Sequence, residues 1–264
     1  MKNLLKVRNI LVFALTFMIS SQAFATPQQL LNNVHKLRLL STESLTNFYM
    51  YSGLDADAKY GKKVLDSLTE FENVLKETRA IPAADGMSDS LAEIDTSWAE
   101  FEKLIRINYQ DMETQGFPNV RLVDEMGKVN GQLLKTLSQA YNDAKVSTGI
   151  TPPEVVETAR TLSMTMEEIT SQYAARGTSN LGQVFIGSYE RTLEQMAEAF
   201  RNDLVSLKTQ ANKDNSKRLL RAIDSKWNFM ERSIKNYNTN TVPFLVSSYS
   251  ERIIEDLEQL ADAQ

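Results

Sequence analysis

Two short motifs hold the side chains best suited to chemistry. Arg38-Leu39-Leu40-Ser41 and Arg160-Thr161-Leu162-Ser163 share the pattern Arg-x-Leu-Ser. On a helix, residues three and four apart are neighbours. Arg38, Ser41 and Leu45 therefore share one face, and so do Arg160, Ser163 and Glu167. A guanidinium beside a hydroxyl makes an oxyanion clamp, because Arg offers planar paired donors and Ser adds one more. The plainer account is a surface ion pair, or an Arg stem lying along an apolar flank. Arg38, Ser41, Arg160 and Ser163 are the candidate ligand-binding residues. No residue is expected to be catalytic or metal-binding.

The remaining polar motifs have plainer readings. Asp95-x-x-Trp98 and Asp224-x-x-Trp227 put a carboxylate one turn before an indole. That pair suits a pocket wall, but a large aromatic in an apolar seam is core by default, with its N–H finding a partner. His35 is the sole histidine, and is expected to be solvated or capping. Tyr49, Met50, Tyr51, Met164 and Met166 are read as packing, although such adaptable side chains also line promiscuous grooves. Glu167-Glu168 and Glu255-Asp256-Leu257-Glu258 are read as solvated faces. Gly127-x-x-x-Gly131 suggests at most a local close approach in a soluble helix.

Composition narrows the chemistry further. The 264 residues include no Cys and one His. That removes disulfides, thiolate zinc sites and cysteine nucleophiles, and disfavours a His metal cage or a Ser-His-Asp triad. No Gly-rich phosphate loop occurs. The expectation is a non-catalytic protein without a cofactor.

The elements that must position these residues are helices almost throughout. Apolar residues recur three and four apart in Val64, Leu68, Phe71 and Leu75, in Leu91, Ile94, Trp98, Phe101 and Ile105, and in Leu220, Ile223, Trp227, Met230 and Ile234. Tyr189, Leu193, Met196, Phe200 and Leu204 make another stripe. All six prolines fall between stripes, where a helix-breaking ring is harmless. The spacing predicts helices over 28–52, 56–80, 88–114, 118–146, 153–176, 182–211, 214–238 and 242–262, with glycines such as Gly53 marking the turns. The fold class is all-α, as two tandem antiparallel four-helix units.

The tandem reading comes from an internal repeat. Leu91-x-x-Ile94-Asp95-x-x-Trp98-x-x-x-Glu102-x-x-Ile105 recurs 129 positions later, from Leu220 to Ile234, and includes both Trp residues of the chain. Phe71-x-x-x-Leu75 recurs at the same offset as Phe200-x-x-x-Leu204. Phe117-Pro118 and Val242-Pro243 mark matching turns. The expected units are 26–147 and 154–264, joined by a linker at 148–153.

Residues 1–25 read as a cleaved secretory signal. Lys2, Lys6 and Arg8 precede an apolar stretch from Ile10 to Ile19, and Ala23-Phe24-Ala25 offers a cleavage site. The apolar run is short for a membrane span, so the processed chain is not expected to be an integral membrane protein. Losing three basic residues takes the net charge from −5 to −8. Such a surface repels nucleic acid and anionic lipid, so nucleic acid is not an expected partner.

The motif Arg-x-Leu-Ser, opening the first helix of each half and followed by two hairpins, resembles the periplasmic four-helix sensor domain of type IV pilus chemotaxis transducers and nitrate/nitrite sensor kinases. The family's first helix typically reads Gly-Arg-Gln-Arg-Met-Leu-Ser-Gln-Arg. Here one Arg and the Leu-Ser pair remain in each half. The resemblance implies a periplasmic, chemotaxis transducer-like binding protein. It would hold a small anion or polar solute between the opening helices, with Arg38 and Arg160 in the anion-gripping positions, and relay to a membrane-bound signalling protein. The alternative is a structural or interaction protein whose helical faces dock a protein partner or a second copy, with no small ligand.

Overall fold

The computed structural model describes residues 26–177, 191–211, 213–237 and 241–264. The signal segment read over 1–25 lies outside the described residues. Within them the chain is all-α, with eight α-helices, one short 3-10 turn and no strand. The helices are α1 (Pro27–Gly53), α2 (Ala58–Arg79), α3 (Ser88–Gln115), α4 (Val120–Thr148), α5 (Glu154–Gly177), α6 (Leu193–Gln210), α7 (Asp214–Lys235) and α8 (Pro243–Asp262). The 3-10 turn covers Pro82–Met87. No helix among the described residues is long and apolar enough to cross a membrane.

Local sequence sets the helix ends. Thr26 caps α1 by accepting from the Gln29 N–H at 3.3 Å, with Pro27 in the first turn. Asp57 and Asn119 cap α2 and α4 in the same way. The helix expected from residue 182 begins, in its described part, at Leu193. The reason is a capping box: Thr192 accepts from the Gln195 N–H, and the Gln195 side chain accepts from the Thr192 N–H. Residues 182–190, including Tyr189, lie outside the described residues. Gly116 and Gly149 end α3 and α4 in the left-handed region, with φ 79° and 65°. Gly53 does not do so for α1. There the positive φ falls on Asp55 and Ala56, at 52° and 59°.

Packing follows one order in each half. In the first, α1 lies between α2 and α4, and α3 packs on α4; in the second, α5 lies between α6 and α8, and α7 packs on α8. Each half has its own apolar cluster. Val64, Phe71, Ile94 and Leu133 belong to one, and Phe200, Ile223, Ile253 and Leu257 to the other. Ala174 and Ala175, near the end of α5, cross into the first. The two clusters meet along α1 and α5, which pack together. Arg160 reaches Asn32 near the start of α1, while Glu167, two turns on, reaches Thr46. The two helices therefore run in the same direction.

Both Trp side chains are core. Trp98 stacks on Phe71 with ring centroids 3.6 Å apart, and Trp227 packs against Phe200 at 4.3 Å. Neither indole N–H has a partner among the described residues, contrary to the expectation. Asp95 and Asp224 face outward instead, pairing with Arg79 and Lys208 on the preceding helix. Tyr49, Met50, Tyr51, Met164 and Met166 are buried packing residues. Gly127 approaches Tyr49 closely, since an added Cβ would sit 3.1 Å from the Tyr hydroxyl; Gly131 faces open space.

Candidate functional site

Burying a polar side chain is costly unless it is satisfied, so its location is informative. Of the 21 buried polar or charged residues among those described, 14 lie on α1 and α5. The seam between the two halves is therefore polar, while each half's own interior is apolar. α4 and α8 flank this seam on either side.

On the α4 flank, three cations surround one phenol. Arg38, Lys145 and Arg160 lie 5.2, 4.9 and 5.7 Å from the Tyr141 ring centroid. This is the range in which the ring's negative face attracts a cation. The Tyr141 hydroxyl accepts from Arg160 Nη1 at 2.7 Å and donates to Glu157 at 2.7 Å. Burial and the bond to Glu157 push the phenol up to about 12. Arg160 also donates to Asn32. Arg38 is half-buried, and its Nε has no partner among the described residues. Among the described residues no carboxylate is within ion-pair distance of either guanidinium.

The structure thus brings Arg38 and Arg160 together on one ring. It separates the two serines. Ser41 is fully buried; its hydroxyl donates to the Arg38 carbonyl at 2.9 Å, and its own carbonyl accepts from Asn130 at 2.9 Å. Ser163 points to the other flank, donating to Glu258 Oε1 at 2.6 Å.

On the α8 flank, α1, α2, α5 and α8 line a half-open cavity of about 500 Å³. Neither Arg38 nor Arg160 lines it, but Asn32 and Glu258 do, so the cation cluster and the cavity share a border. His35 is not solvated. It is 2% exposed and its Nε2 lies 3.0 Å from Glu258 Oε1. Burial lowers its pKa and keeps it neutral, donating to an ionised Glu258. Burial alone would raise Glu258, but the bonds from His35 and Ser163 hold it below the ordinary carboxylate range.

Glu167 is the largest departure from expectation. Read as a solvated acid, it is 6% exposed and lines the cavity. The Thr46 hydroxyl lies 2.8 Å from its Oε1. Burial, and then the charge of Glu43, push Glu167 up to about 8. Glu43, across the seam on α1, is raised by burial as well. Glu168, its neighbour, is the exposed member and pairs with Arg191 at 2.9 Å. The sequence did hold a signal: Glu167 is seven residues from Arg160, on the same face. Tyr141, Glu43, Ser250 and Glu251 gave none, because nothing local distinguishes them from other helix residues. No group of three His, Asp or Glu among the described residues is placed to hold a metal ion.

Comparisons with known protein families, with curated proteins and with solved structures find no match for this chain.

Proposed function

We propose that the chain is a non-catalytic, exported binding protein of the sensor type. It takes a small polar solute into the cleft between α1, α5 and α8 and passes the bound state to a membrane-bound signalling partner. One observation carries this reading: a cavity of about 500 Å³, within the size range of ligand sites, walled by polar groups from both halves. The Arg-x-Leu-Ser repeat supports it by placing the opening helix of each half along that wall. The shared packing order supports the tandem-copy origin of the two units.

Binding to the native state must raise its stability. Thermal unfolding in millimolar nitrate, nitrite, carboxylates, amines and neutral amino acids tests the proposal. The expected result is a raised Tm with at least one class, lost when Ser250→Phe fills the cleft. A Tm unmoved by every class overturns it. Within this test, Arg38→Ala with Arg160→Ala abolishes the shift only if the solute is an anion held at the Tyr141 cluster.

The alternative, a docking protein without a small ligand, is favoured by two exposed aromatics, Phe117 before Pro118 and Phe244 in the first turn of α8. Phe117 and Phe244 are 64% and 57% exposed. Sedimentation showing self-association that Phe117→Ser and Phe244→Ser abolish is the result that selects it.

A further inference from the structure

We infer that the cleft selects a protonated organic amine, its ammonium seated at Glu43 and Glu167 and its carbon body against Leu39, Leu40 and Ile254. This rests on the cleft being a binding site, and names the chemistry it reads.

The charge of the wall sets the sign of the ligand. Glu43, Glu167, Glu251, Glu255, Glu258 and Asp262 line the cavity, against two cations, Lys36 and Lys63. Both lysines are already engaged. Lys36 pairs with Glu70, and Lys63 with Glu251 at 2.6 Å. Glu258 is held by His35 and Ser163. Glu255 and Asp262 are exposed to solvent, which leaves Glu43 and Glu167. Neither has a cation within ion-pair distance among the described residues, although they come from the two central helices, with Glu167 buried and Glu43 partly buried.

A second feature is independent of the acids. Ser250, on α8, lines the same cavity and is 1% exposed, yet its hydroxyl has no hydrogen-bond partner among the described residues. A buried hydroxyl left unmade costs free energy that a ligand donor or acceptor recovers. An ammonium carries three donors, so it can bond carboxylates on α1 and α5 and a hydroxyl on α8 together. The raised pKa of both carboxylates has the same origin: burial penalises their charge, and Lys63 offsets this only in part.

Two features exclude a bare metal ion as the better fit. No three acidic or imidazole groups among the described residues converge on a point. The wall also includes Leu39, Leu40 and Ile254, which suit carbon rather than a hydrated cation.

Isothermal titration of the purified protein at pH 7.5 tests the inference with matched probes: n-pentylamine and phenethylamine against pentanol, phenethyl alcohol and pentanoate. Each amine is expected to bind at least tenfold tighter than its neutral isostere. Glu43→Gln and Glu167→Gln are each expected to weaken the amine at least tenfold with helical content and Tm retained. Arg38→Ala is expected to leave it unchanged. Ser250→Phe and Ile254→Trp, two separate blocks, are expected to abolish it. Pentanol or pentanoate binding, sensitive to those blocks, with no preference for amines overturns the charge assignment and leaves the cleft standing. Amine binding that survives the double Glu43→Gln, Glu167→Gln change also overturns it. Titration without heat from every probe overturns the inference, while a Tm shift from some other class would still uphold the cleft.

Discussion

A carboxyl group removed from water must gain a cation or keep its proton, and among the described residues Glu167 has no cation within ion-pair distance. Its folded pKa lies above its unfolded one, so the folded state holds the proton between the ordinary carboxylate range and about pH 8. The sign follows: stability is full at low pH and falls as pH rises through that window, by about 1.4 kcal/mol per pH unit at most. Glu43 and Glu251 deepen the effect and Lys63 opposes it. His35 acts in the opposite sense. Burial lowers its pKa, so its contribution is present above about 6.5 and is lost as pH falls. Comparing the native chain with Glu167→Gln cancels the His35 contribution. Urea unfolding at pH 5.5 and 8.5 should show the variant gaining stability relative to the native chain at the higher pH. An equal difference at both values would mean that Glu167 is ionised throughout.

At the scale of the helix, identical residues at equal offsets hold matching pairs of elements together. Trp98 against Phe71 fastens α3 to α2, and Trp227 against Phe200 fastens α7 to α6. Arg79–Asp95 and Lys208–Asp224 lie beside them as ion pairs at least a quarter exposed on each partner. Burial of a large aromatic outweighs such a surface pair several-fold. Trp98→Ala and Trp227→Ala should each cost about 3–5 kcal/mol. Asp95→Asn and Asp224→Asn should each cost about 1 kcal/mol or less. Denaturant midpoints of the four variants check the ordering.

For the whole molecule, the decisive contrast is between two apolar interiors and one polar seam. Each half keeps its own cluster of buried apolar residues. The two helices that join the halves instead bury Asn33, His35, Thr42, Thr46 and Asn47 on α1, and Arg160, Ser163, Glu167 and Thr170 on α5. Apart from Ala174 and Ala175, each cluster is built from residues of its own half. A fragment covering residues 26–149 should stay helical by circular dichroism and melt cooperatively, at a lower temperature than the full chain. A fragment without a cooperative transition would place the folding unit at the level of all eight helices.

How much was legible in advance divides along the same lines. The helices were, because their hydrogen bonds join residues four apart and their ends are set by Thr26, Asp57, Asn119 and the prolines nearby. The repeated stripes marked Phe71, Trp98, Phe200 and Trp227 as core, but which ring stacks on which came only from the fold. Only the α6 start was misplaced, by overlooking Thr192 and Gln195. The fate of the polar residues was another matter. His35 meets Glu258 across 223 positions, and Thr46 meets Glu167 across 121. Periodicity says which face of a helix is apolar, but not that α1 and α5 are covered on nearly every side. Sequence alone settled what is helical and which stripes are core. Tertiary packing decided which acids lose their water, because desolvation depends on neighbours that the chain brings together only when folded.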